Sequence, residues 1–175
     1  MSRLATFLGA VGALVLMTQD PALAAPADDN IASERFHADL YEEAGTTVLY
    51  PGEYHWFRND SGADVHLVVD LSDQVMYVYQ DRQLLAATTV STGKDGHETP
   101  LGKFEILEKN EEHYSNLYDD APMPYMQRLT WDGIALHAGS LPGYPASHGC
   151  IRLPMSFAEQ LFELTDFETE VYVVA

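Results

Sequence analysis

The chain has 175 residues, enough for one domain that buries a real core. Its 27 aspartates and glutamates against 9 lysines and arginines give a formal net charge of −18. That balance argues against nucleic acid and anionic membrane surfaces as partners, since both call for basic patches. The apolar fraction is ordinary for a globular protein and no segment is low-complexity.

The first 24 residues read as a secretory signal peptide. Arg3 supplies the positive start, Leu4 to Met17 is uncharged and mostly apolar, and Ala22-Leu23-Ala24 matches the small-x-small cleavage pattern. The apolar run is shorter than the roughly 20 residues of a spanning helix, which favours cleavage over a membrane anchor. Export to the periplasm or beyond is therefore expected. Cleavage after Ala24 removes one Arg and one Asp, so the net charge is unchanged.

Residues 25–62 read as a lead segment. Ile31, Phe36, Leu40, Tyr41 and Ala44 recur at helical spacing, with Gly45 as the C-cap candidate. Thr46 to Tyr50 is expected to form a strand, Pro51-Gly52 a turn and Asn59 to Gly62 another turn, where the main domain is expected to begin. From residue 63 to 175 the pattern is short and β-rich. Strands are expected at Val65–Val69, Gln74–Tyr79, Leu84–Thr92 and Lys103–Leu107. Met126–Trp131 and Ile134–His137 form a hairpin across Asp132-Gly133, and Val171–Val174 adds a further strand. A helix is expected with Pro154 at N1 and an apolar face of Phe157, Ala158, Leu161, Phe162 and Leu164. The fold class is mostly β, a sandwich or barrel-like domain with one or two short helices.

The chemistry concentrates at Ser147-His148-Gly149-Cys150-Ile151-Arg152. Cys150 is the only cysteine of the chain. An unpaired thiol in an exported protein is a candidate reactive group. A thiol of ordinary pKa is mostly protonated at neutral pH, and a neighbouring imidazole can take its proton and hold a thiolate–imidazolium pair. His137 ends an apolar strand, which is a rigid mounting for such a base. His148, two residues from Cys150, is poorly placed to reach Sγ and is read as a supporting residue. Gly149 permits close approach of backbone to substrate, and the N–H groups of Gly149 and Cys150 are oxyanion-donor candidates. Ser147 can hold the turn by a local hydroxyl bond. Arg152 and Arg128 flank the region and could each receive a carboxylate. The rival chemistry is zinc held by the two histidines and the cysteine, but neither C-x-x-C nor H-x-x-x-H spacing occurs. His37, His55, His66, His97 and His113 form no pattern and are read as surface or packing histidines.

These residues resemble a known family. Ser147-His148-Gly149-Cys150 looks like the S-H-G-C signature of the L,D-transpeptidase (YkuD-type) catalytic domain, and Ile134 to Gly139 is similar to the strand that carries its catalytic histidine. Ser91-Thr92-Gly93-Lys94 and the Thr99-Pro100-Leu101-Gly102-Lys103-Phe104 turn and strand match the same family. The resemblance covers about residues 63–175. It implies a β-sandwich-like cysteine acyltransferase that needs no cofactor or metal. Its substrates would be peptidoglycan stem peptides, attacked at the carbonyl of the third residue with loss of D-alanine, and an amine on a second stem or an envelope protein would resolve the thioester. By the same resemblance Cys150 is nucleophile, His137 base, and Arg152 a substrate-carboxylate candidate. The stretch between His137 and Ser147 is shorter than in many relatives. A hydrolase on the same scaffold and a non-catalytic wall-binding module are the other readings.

Overall fold

The computed structural model describes residues 29–58, 65–115 and 120–175. The expected signal peptide and the expected Asn59–Gly62 turn lie outside the described residues. The elements in chain order are α1 (Asp29–Ala44), β1 (Tyr54–Trp56), β2 (Val65–Asp70), β3 (Val75–Gln80), β4 (Gln83–Thr89), β5 (Gly102–Glu105), β6 (Glu108–Tyr114), β7 (Pro122–Arg128), β8 (Ala135–Ala138), β9 (Ile151–Leu153), α2 (Met155–Leu164) and β10 (Glu170–Val174). The class is mostly β, as expected. The strands form two open sheets, and no barrel closes: six strands in the order β1-β4-β3-β2-β10-β5 and four in the order β6-β7-β8-β9.

Alternation along the strands builds the layers. Leu67 and Val69 of β2, Met76 and Val78 of β3, Leu136 and Ala138 of β8, and Ile151 and Leu153 of β9 all point into one shared core. Phe157, Ala158 and Leu161 of α2 complete it. The opposite face of the six-stranded sheet presents Val68, Tyr77, Tyr79 and Leu84. A sheet with two apolar faces needs a second cover, and Phe36 and Leu40 of α1 supply it. Polar ties fix that helix in place. Ser33 Oγ donates to Asp70 Oδ2 at 2.6 Å and Tyr79 Oη donates to Asp39 Oδ2 at 2.8 Å. Asp70, fully buried, also accepts from the backbone N–H groups of Ser72 and Asp73, which closes the β2–β3 turn. A buried carboxylate persists only when satisfied in this way.

The structure departs from expectation at several places. Residues 46–50 form no strand, and Val48 and Tyr50 are exposed without a ladder partner. The edge strand is instead β1, paired antiparallel to β4 at Tyr54↔Thr88. The acidic run Glu108–Tyr114 is a strand despite its charge, because β6 and β7 form a ribbon whose β6 side is largely solvated. Two pairings, β2 with β10 and β8 with β9, are parallel and join segments far apart in sequence. Pro154 sits at the N-cap of α2, with φ −58° and ψ 142°, one residue earlier than the N1 position expected for it. Gly45, at φ +72°, ends α1 as expected, its N–H donating to the Tyr41 carbonyl at 2.9 Å.

Because Leu40 is fully buried beneath α1, Leu40→Ala is expected to lower unfolding stability by about 2–5 kcal/mol. Tyr41→Ala, one residue along on the exposed face of the same helix, is expected to change it by less than about 0.5 kcal/mol. Urea titration followed by fluorescence checks both. Equal costs would mean that α1 is not part of the cooperative fold.

Candidate active site

Parallel pairing of β8 with β9 sets the site. The register places His137 opposite Arg152 and Leu136 opposite Ile151. Side chains alternate across a sheet. With Leu136, Ala138, Ile151 and Leu153 committed to the core, Ala135, His137, Cys150 and Arg152 share the outer face of the four-stranded sheet.

The loop ahead of Cys150 is held from several directions. Ser147 Oγ accepts from the Gly149 N–H at 3.0 Å and donates to the Cys150 carbonyl at 2.5 Å. The Gly149 N–H is thereby engaged in the loop itself rather than directed at a substrate. Thr99 Oγ1 donates to the Gly149 carbonyl at 2.8 Å and accepts from the Gly93 N–H at 2.9 Å. Ser91 and Arg152 exchange both backbone bonds, at 3.1 and 3.0 Å. Gly149 has φ +116°, and a Cβ there would lie 2.6 Å from Ile134 Cδ1. Only glycine fits that position. The Ser91–Lys94 and Thr99–Phe104 segments thus act as a brace for the nucleophile loop, which explains why both belong to the pattern.

Burial sets the protonation states. The His137 side chain is nearly enclosed, and its desolvation lowers its pKa to about 4, with Arg152 and His113 adding to the depression. Its Nδ1 lies 2.8 Å from the Ala138 carbonyl, which can only accept, so Nδ1 carries the ring proton and Nε2 is left as the basic nitrogen. Burial also pushes the Cys150 thiol up, partly offset by the Ala135 N–H and by Arg152 and Arg128. The Sγ donates to the Gly133 carbonyl at 3.4 Å. Each shift favours the uncharged form of its own group. The thiolate–imidazolium pair expected from sequence is disfavoured because both partners are desolvated.

A cavity of about 320 Å³ opens beside the thiol, lined by His113, Met123, Met126, Trp131 and Gly133 among others. Cys150 packs against Met123, Met126 and Ala135, three of the residues that line it. Met123 and Met126 are three residues apart, a spacing that would put them on opposite faces of a regular strand. Between them Tyr125 adopts φ +55°, an unusual conformation for a bulky residue, and this break in the pleat turns both methionines toward the cavity. Trp131, at the β7–β8 turn, is 76% exposed at its rim. A larger cavity of about 450 Å³, lined by His66, Phe167 and Glu168, lies at the starts of β2 and β10, away from the thiol.

The remaining candidates separate. Arg128 also lines the smaller cavity, but its Nε donates to Glu108 Oε2 across the β6–β7 ribbon at 2.6 Å. His148 is exposed, its ring in edge contact with His97 at 4.8 Å between centroids. Two histidines read as packing residues therefore border the site: His97 on the brace and His113 in the cavity wall. Only the strand pairing reveals them, since neither has a periodic or motif signal. Among the described residues, no group of three or more His, Cys, Asp or Glu is arranged to hold a metal ion.

The comparisons agree with this architecture. Residues 64–173 match the family of L,D-transpeptidase catalytic domains. An L,D-transpeptidase from Stackebrandtia nassauensis is 30% identical at a TM-score of 0.60, covering 67% of this chain and 58% of its own. One from Mycobacterium smegmatis is 26% identical at 0.61, covering 65% and 60%. An L,D-transpeptidase solved in complex with imipenem is 25% identical at 0.58, covering 63% and 58%. The chain thus spans about three fifths of the length of these solved relatives. Among curated proteins none matches it significantly. The match over residues 64–173 includes the Cys150 loop, the His137 strand and the brace that holds them, and the chain belongs to the L,D-transpeptidase catalytic domain family.

Proposed function

We propose that this protein is an exported cysteine L,D-transpeptidase that acts on peptidoglycan stem peptides, with Cys150 as nucleophile and His137 as its base. What supports the reading is the strand register that puts Cys150 and His137 on the outer face of the four-stranded sheet, with Nδ1 of His137 tied to the Ala138 carbonyl. That tie leaves Nε2 free to take a proton. A signal peptide over residues 1–24 would deliver the enzyme to the periplasm.

The chemistry is two acyl transfers. A turn of the thiol away from the Gly133 carbonyl brings its proton to Nε2 as Sγ attacks the third-residue carbonyl of the donor stem. The tetrahedral intermediate collapses, the bond to D-alanine breaks, and Nε2 passes its proton to the departing amine. A thioester on Cys150 remains. An acceptor amine, on the third residue of a second stem or on an envelope protein, then attacks the thioester and yields its proton to Nε2. The thiolate leaves and is reprotonated. The first acceptor gives a 3-3 cross-link and the second a protein attachment; water in their place gives a carboxypeptidase or amidase. Starting from two neutral partners, proton transfer accompanies attack instead of preceding it. Burial therefore makes the resting thiol less reactive until a substrate is in place. Arg152, on the same face, is a substrate-carboxylate residue in this reading, whereas Arg128 acts through its ion pair with Glu108 as part of the cavity wall. Ser147, Gly149 and His148 position the loop. No cofactor or metal takes part in these steps.

Intact mass after exposure to imipenem is expected to show one covalent adduct on wild type and none on Cys150→Ala; an adduct on the variant would refute the nucleophile. His137→Ala is expected to keep the native fold by circular dichroism and to acylate about 10²–10⁴-fold more slowly; unchanged acylation would remove His137 as base. With the His137 pKa at about 4, the acid limb of kcat/KM follows protonation of a neutral imidazole. The rate should hold from neutrality down to about pH 5 and fall as pH approaches 4, whereas an unperturbed histidine would lose activity from about 6.5. Incubation with a disaccharide-tetrapeptide, read by mass, separates a cross-linked dimer from a shortened monomer.

A further inference from the structure

Positive charge is scarce in this chain, and most of it is committed. Arg58 pairs with Glu43, Lys103 with Glu170 and Arg128 with Glu108, while the Lys109 ammonium donates to the Phe162 and Thr165 carbonyls at the end of α2. Among the described residues, Lys94 and Arg152 have no carboxylate within ion-pair distance. Arg35 and Arg82 share that state, but they lie on α1 and at the β3–β4 turn, remote from the thiol. In a protein with three acidic groups for every basic one, two uncommitted cations beside the nucleophile loop call for a partner from outside.

Both are built in. The Lys94 N–H donates to the Ser147 carbonyl at 3.2 Å, and Gly93 bridges Ser147 in parallel register, so Lys94 is anchored three positions from Ser91 and directly against the nucleophile loop. Its side chain is exposed. The stem of Arg152 lies across Gly139, where an added Cβ would come within 3.0 Å of its Cγ and Cδ. The absence of a side chain at Gly139 gives the stem its bed and carries the guanidinium along the outer face of the sheet. His97 and His148 stand edge to face between these segments. Desolvation lowers the His148 pKa, and Lys94, His97 and Arg152 add to the depression. The closest acids do not neutralise the wall. Glu98 Oε1 accepts from the Gly96 N–H at 2.8 Å, and Asp95 makes no ion pair.

We infer that Lys94 joins Arg152 in a cationic wall that receives a carboxylate of the acyl-donor peptide on the loop side of Cys150, opposite the methionine-lined cavity. The inference rests on the transpeptidase reading and extends it to Lys94 and to the direction in which the donor lies. A stem peptide carries two carboxylates near its scissile bond, the terminal one on D-alanine and the one on the side chain of a diaminopimelate third residue. Either presents the oxygen pair that an ammonium and a guanidinium recognise. The same wall repels a protonated amine, which leaves the cavity side for the acceptor.

The test compares kcat/KM for three donors: a tetrapeptide stem, its D-alanine amide and its third-residue side-chain amide. Wild type is expected to prefer the carboxylate over one of the amides. In Lys94→Gln that preference is expected to fall about three- to fivefold. Lys94→Glu should reduce it further, by about tenfold, and Lys94→Arg should restore it. The amide whose rate converges with the parent identifies the carboxylate. Each ratio is measured on one enzyme preparation, so partial loss of folded protein cancels. A preference untouched by Lys94→Gln and Lys94→Glu, or a wild type indifferent to both amides, overturns the inference while leaving Cys150 chemistry intact. A wild type that turns over none of the three donors removes the transpeptidase reading and this inference together.

Discussion

Parallel alignment of two short strands, β8 and β9, is the constraint on which the rest of the molecule depends. Hydrogen bonds between them set His137 beside Arg152 and leave Cys150 one step earlier on the same face. A slip of one residue would turn the thiol into the core and Ile151 outward, because strand side chains alternate with period two. Much of the remaining structure resists that slip. Four core side chains on the inner face must stay buried. Ser91 clasps Arg152 from outside the sheet, and Thr99 holds the Gly149 carbonyl. The site's precision comes from backbone bonds between segments some fifty residues apart in sequence.

Electrostatics follow from where that face sits. The thiol and the imidazole are both withdrawn from water, and desolvation moves their affinities for protons apart. An enclosed pair that stays uncharged spares the fold the cost of two buried ions. In the proposed reaction, activation then falls to the bound substrate. Exposed Lys94 lies on the loop side, whereas Met123 and Met126 share the cavity wall with Arg128 and Asp132.

Local chemistry made the candidate nucleophile, the candidate base and the loop that carries the thiol readable directly from the chain. The lone Cys150 in a Gly-containing turn, and His137 at the end of an apolar run, needed no long-range information. The short apolar runs Val65–Val69 and Val171–Val174 were legible as strands for the same reason. What escaped depends on distant partners. Glu108–Tyr114 carries no apolar alternation and is a strand only because β7 lies alongside. Val48 and Tyr50 look like strand residues but find no ladder. Arg128 reads as an open cation until Glu108 comes across the ribbon. His97 and His113 acquire meaning only when the sheet brings them to the rim. The burial that shifts the Cys150 and His137 proton affinities was also beyond the sequence, since it depends on long-range packing.

The reversed backbone at Tyr125 brings two methionines to one wall of the cavity. Unbranched thioethers bend to fit whatever lies against them. A compliant wall discriminates poorly by outline, so it can admit acyl acceptors of different bulk. Selectivity would then have to come from the rigid, charged margin across the sulfur, and changes of taste over evolution would be read there, in the gain or loss of single cations, rather than in the depth of the pocket.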